Sequence, residues 1–89
     1  MRDLKVEVIK IKERCGAKHK PGDVFYIRGL GTVEIPGNKK VCLYALASLV
    51  PFLTAKQRED EFPRDDWIAE TTELACPDPK GVIFKITTI

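Results

Sequence analysis

Side-chain amides, methionine and long apolar runs are scarce in this chain. Asn38 and Gln57 are its only amides and Met1 its only methionine, whereas Lys, Arg and Glu are plentiful. That bias is the one found in heat-adapted proteins, where intracellular disulfides also occur. The longest apolar run, Val41 to Leu53, is interrupted by Ser48 and Pro51. It falls well short of the roughly 20 residues that span a bilayer. The N-terminal stretch MRDLKVEVIK alternates charged and apolar positions where a signal peptide would be continuously apolar. A cytoplasmic protein is expected.

Several motifs are missing as well. No C-x2-C knuckle is present, and no Ser/His/Asp arrangement can be argued. Gly29-Leu30-Gly31 lacks the further glycine and the following helix of a dinucleotide loop. No internal repeat, low-complexity tract or linker divides the 89 residues, which form a single domain, 1–89. A chain of this length buries about two-thirds of its unfolded surface. Its 44% apolar content is that of an ordered globular protein.

The net charge of +2 hides an asymmetry. Residues 1–40 carry ten Lys/Arg against five Asp/Glu, and residues 41–89 carry five against eight. The basic excess sits in Lys10, Lys12, Arg14, Lys18 and Lys20. A basic loop 10–20 can attract anions or nucleic acid, but a solvated loop is the commoner explanation. Phe25 and Tyr26 beside it would add a stacking surface, although core packing accounts for them too.

Periodicity divides the chain into elements. Leu4 to Ile11 is a strand whose apolar phase changes near Val8–Ile9, the mark of a bulge. Arg14 to Gly22 is a loop, and Lys20-Pro21-Gly22-Asp23 is a turn that Asp23 caps through the backbone. Val24 to Arg28 is a second strand, and Gly29-Leu30-Gly31 leads into a short third, Thr32 to Ile35. Asn38 predicts an N-cap for a helix from about Lys39. Between Val41 and Leu53 that helix has almost no polar face, so it is buried all round or covered by a partner, and a homodimer through helix 41–53 is expected. Pro51 predicts a kink or break, and Thr54-x-x-Gln57 has the form of a capping box for a second short helix. Gln57 to Asp66 reads as a charged surface loop. Trp67 to Ala75 reads as a strand with Ile68, Thr72 and Leu74 on one face. Asp78-Pro79-Lys80-Gly81 fits a type I turn into a last strand, Val82 to Ile89. The expected fold class is α+β: a small antiparallel sheet or partly open barrel, β-β-β-α-β-β, with one main helix packed against it.

Three cysteines without a secretion signal favour reduced thiols or metal ligands over a disulfide framework. Cys15, His19, Cys42 and Cys76 all fall in loops or at element ends, from which ligands converge. Three thiolates and an imidazole complete a tetrahedral zinc shell or hold iron. The plainer reading is that the thiols are packed as small hydrophobes. A third reading is thiol-redox chemistry at Cys42. The positive start of a helix, with Lys39 and Lys40 beside it, favours thiolate there. Asp65, Asp66, Glu70 and Glu73 form a weaker candidate for a cation site and are also explained as a solvated edge. The balance favours a non-catalytic module over an enzyme.

The string Cys15-Gly-Ala-Lys-His19-Lys20-Pro-Gly22-Asp23-Val-Phe25, then Cys42 with Tyr44-Ala45 and Pro51, then Phe62-Pro63, then Cys76-Pro77-Asp78 before Val82-Ile-Phe84-x-Ile86 resembles a small uncharacterised prokaryotic protein family. Its members look like C-x3-H-K-x-G-D near the start, a central Cys-containing helix and a C-terminal C-P-D motif. The resemblance spans nearly the whole chain and implies an archaeal or anaerobic bacterial source, with no established activity. It also implies that Cys15, His19, Cys42 and Cys76 occupy the family's recurring Cys/His positions. The chain departs from the pattern at Ala75, where members often carry a second cysteine. It departs again at Arg64, in place of a tryptophan, and at Asp60-Glu61, in place of a glycine pair. The missing cysteine weakens a cluster site more than a mononuclear one.

Overall fold

The structure is a computed structural model that describes residues 1–16, 18–37 and 40–89. Five antiparallel strands form one open sheet in the order β3-β2-β1-β5-β4: β1 Leu4–Ile11, β2 Val24–Arg28, β3 Thr32–Glu34, β4 Glu73–Ala75 and β5 Val82–Thr88. The main helix, α1 Leu43–Lys56, covers one face. The fold is α+β, as the alternating strands and single apolar helix predict.

The first strand takes the centre because it is the longest, and its alternate residues Leu4, Val6 and Val8 are buried against the helix. Its register with β5 slips between Val8 and Lys10, the bulge expected from the change of phase. Phe25 and Ile27 from β2, and Val82, Phe84 and Ile86 from β5, complete the buried face. Ala45, Leu49, Phe52 and Leu53 supply the helical stripe against it. The opposite face is polar and internally paired: Lys5 with Glu7 (3.7 Å), Arg28 with Glu34 (3.6 Å), and Arg28 over the Tyr26 ring (4.6 Å).

The helix differs from expectation at both ends. Its N-cap is Cys42, with extended backbone, so the thiol stands at the helix entrance and not within its first turns. Asn38 and Lys39, where the cap and start were expected, lie outside the described residues. Pro51 does not break α1. It lies on the exposed side, where water can reach the Ala47 carbonyl that loses its amide partner. Thr54 does not open a second helix: its hydroxyl donates to the Pro51 carbonyl (3.0 Å), and α1 continues to Lys56. Gln57 is buried at the C-cap instead of opening a surface loop.

The segment after α1 is the main correction. Trp67 to Ala75 is not one strand but a single helical turn, α2 Trp67–Glu70, followed by the three-residue β4. Asp66 decides this by capping the turn, its carboxylate accepting from the Ile68 amide (2.9 Å). A good N-cap here outweighs the β-propensity of Trp-Ile. Ile68 then enters the core and Trp67 packs on Phe52, ring centroids 5.6 Å apart. Among the described residues no helix is long and apolar enough to cross a membrane.

Candidate functional site

The predicted ligands gather at one end of the sheet, where β1 finishes, β5 begins and α1 starts. The chain leaving β1 runs along the β4–β5 turn. Lys12 donates its backbone N–H to the Gly81 carbonyl (2.8 Å), and Glu13 and Arg14 donate theirs to that of Lys80 (2.9 and 3.1 Å). The Arg14 guanidinium forks onto the Asp78 carboxylate (2.8 and 3.3 Å). That fork, joined by the Lys80 backbone N–H, holds Asp78 below the usual carboxylate range. Cys15 follows directly and is carried to the same end as Cys76.

After Cys15 the chain reverses. Lys18 donates to the Cys15 carbonyl (3.0 Å) and adopts a left-handed backbone, φ 59°. That conformation is unfavourable for a residue with a side chain. It turns the His19 N–H back onto the Cys15 sulfur (3.3 Å). The imidazole of His19 is buried and meets Phe84 edge-on, centroids 6.3 Å apart. Its Nδ1 lies 3.6 Å from the Asp23 carboxylate, and its Nε2 accepts the backbone N–H of Cys42 (3.1 Å). Asp23 also accepts the Lys20 N–H (3.0 Å), closing the expected turn.

Cys42 thus has its amide fixed by His19, while its partly buried thiol packs against the core. Cys76 ends β4. Its Sγ accepts the Val82 N–H (3.4 Å) and lies 3.6 Å from the Asp78 carbonyl, to which the thiol can donate. A Cβ at Gly81 would overlap this sulfur and approach the Asp78 carbonyl to 3.1 Å. Gly81 is therefore required by the cysteine sulfur above all, and its N–H closes the turn onto Asp78 O (3.0 Å).

Cys15, His19 and Cys42 are joined by hydrogen bonds, and Cys76 occupies the neighbouring turn. They are not drawn into a common shell. Among the described residues no three Cys, His, Asp or Glu side chains are grouped to hold a metal ion.

The other candidates are committed elsewhere in part. Asp66 caps α2. In the basic loop, Arg14 is paired with Asp78, and Lys12 Nζ donates to the Pro79 carbonyl (3.4 Å). The helix face expected at a homodimer contact is open at Leu43 (74%) and Tyr44 (76%).

Two members of this end were not foreseen in their roles. Asp23 was legible as a turn cap, and its i+4 spacing from His19 is the signal for the imidazole contact. Gly81 was legible as a turn glycine, but nothing local ties it to Cys76. Comparison with family models, with curated proteins and with solved structures finds no match to this chain.

Proposed function

We propose that this protein is a non-catalytic metal-binding module in which Cys15, His19, Cys42 and Cys76 take up zinc or, second, iron. The observation that carries the reading is the pair of backbone N–H···S bonds, from His19 to Cys15 and from Val82 to Cys76. Such bonds stabilise a thiolate and orient it, the service that outer-shell donors perform around metal-bound sulfur. The donor set is soft and suits zinc. Metal uptake on this reading requires the His19 loop, the α1 entrance and the Cys76 turn to close on one ion. That closure couples binding to local ordering. The test is elemental analysis of tag-free protein purified anaerobically. The expected result is about one zinc or iron per chain, falling to trace in Cys76→Ser. Trace metal in the parent protein overturns the reading.

A second reading, thiol chemistry at Cys42, is favoured by one observation. Cys42 is the N-cap of a 14-residue helix with no acidic residue in its first turn, which sets it at the positive end of the helix dipole. Alkylation of Cys42 at neutral pH no faster than that of free cysteine would remove it.

A further inference from the structure

The outer side of α1 carries a second stripe, distinct from the one that packs on the sheet. Leu43, Ala47, Val50 and Thr54 are all exposed and recur at intervals of four, three and four residues. That spacing keeps them on one face of the helix, away from the core. Tyr44 stands beside them, equally open to water. Residues 41–55 contain no Lys, Arg, Asp, Glu or His, in a chain of which 31% is charged. A helix face left to water is ordinarily polar. This one has the spacing and the neutrality of a helix–helix seam.

The stripe is also symmetric about its own middle. Leu43 and Thr54 lie equally far along the helix from the point midway between Ala47 and Val50. Antiparallel pairing of two copies therefore sets Leu43 against Thr54 of the second copy, and Ala47 against its Val50. Each contact is large against small, which lets the two helices approach closely. A parallel pair would set Leu43 against Leu43 and align the two helix dipoles unfavourably. The ends of α1 add charge complementarity. Near its N-terminus Lys18, Lys20 and Lys40 are exposed, the first two carried there by the His19–Cys42 bond. Near its C-terminus the exposed acids Asp60, Glu61, Asp65 and Glu70 outnumber Arg58 and Arg64. Antiparallel pairing brings each basic end toward an acidic one. We infer that two copies of this chain form a two-fold dimer through antiparallel α1 helices, with the axis between Ala47 and Val50. The 14-residue helix is about 21 Å long. A seam of that length lies at the lower end of specific interfaces, so the dimer is concentration-dependent. The inference is independent of metal binding.

The experiment is sedimentation equilibrium of the full chain under reducing conditions, at loading concentrations from about 1 μM to about 1 mM. The expected mass rises with concentration from 10.0 kDa toward twice that value. Ala47→Glu sets like charges close to the axis and should hold the mass at 10.0 kDa. Its helical circular dichroism should be unchanged, because Ala47 is exposed. Leu43→Lys and Thr54→Glu should each weaken the dimer, and their combination should recover it at low salt. Only an antiparallel pair sets the new lysine against the new glutamate. A mass of 10.0 kDa at every concentration overturns the dimer and leaves this face to another partner or to water. A dimer that survives Ala47→Glu overturns the choice of face. A double variant no better than the two singles overturns the antiparallel pairing.

Discussion

At its C-terminus α1 is held by several buried polar contacts, whereas at its N-terminus the contact among the described residues is to one side-chain acceptor. At the C-terminal end Lys56 is buried and donates to the carbonyls of Ile68 and Ala69 (3.1 and 3.0 Å) while pairing with Glu59 (2.6 Å). Gln57 adds a bond from its side-chain amide N–H to Gly29 O (2.9 Å), and its backbone carbonyl accepts the Arg2 N–H (2.8 Å), while its side-chain Oε1 is buried with no hydrogen-bond partner among the described residues. These contacts satisfy a buried ammonium and dock α2, β1 and the β2–β3 turn. At the N-terminal end the described contact is Cys42 N–H to His19 Nε2, among partly buried thiols. One end is tied down by buried polar groups, and the other holds sulfurs and an imidazole through single backbone N–H donors.

The contrast is broken most severely at Lys56. Lys56→Met leaves Glu59 and two carbonyls without their cation in a largely buried setting, and such losses cost about 3–5 kcal/mol. Urea denaturation should show this, and a loss below about 1 kcal/mol would mean that the C-terminal set is not a staple. Next comes Gly81→Ala, which drives a methyl into the Cys76 sulfur and against the Asp78 carbonyl. Overpacking of this kind costs about 1–3 kcal/mol. Much of that loss should return in the double variant with Cys76→Ala, because the sulfur is the nearest obstacle. Purely additive losses would place the strain in the turn backbone instead.

At the N-terminal end, His19→Phe keeps the ring against Phe84 but removes the acceptor for the Cys42 amide. The expected cost is about 1–2 kcal/mol, smaller than that at Lys56, with faster amide exchange confined to the α1 entrance. Equal losses at Lys56 and His19 would erase the distinction between the two ends.

The smallest effects are those of the two carboxylates that flank these ends. The Gly29 N–H, then Arg28, holds Asp3 below the usual carboxylate range; Arg14, then the Lys80 N–H, does the same for Asp78. A depressed carboxylate contributes stability that is present above its unfolded value, near 3.9. The contribution fades as pH falls through the lower folded value. Asp3→Asn and Asp78→Asn should therefore each flatten the decline in denaturation midpoint below about pH 4 and leave the slope between neutrality and about pH 6 unchanged. Both side chains are solvent-facing, so added salt should shrink the two effects alike.

The legibility of the fold follows the same division. β1, β2 and β5 were readable because each has one buried face, which writes a period of two into the residues. Even the bulge was visible as a slipped phase at Val8–Ile9. The region after α1 was misread because its order comes from capping and burial of polar groups. Asp66 turns Trp67-Ile68 into a helical turn, and Lys56 and Gln57, polar by type, are among the most buried side chains. Hydrophobic patterning carries no mark of a lysine that will be fully bonded.

Composition and periodicity alone determined an α+β fold, a first strand with apolar alternation, one main apolar helix, and cysteines confined to loops and element ends. The tertiary structure decided which end of the sheet those cysteines share, that Cys42 caps α1, and that His19 spends both ring nitrogens on Cys42 and Asp23. The physical reason is range. Side-chain alternation is set by neighbours along the chain, whereas a hydrogen bond from residue 42 to residue 19 exists only once packing has closed the loop between them.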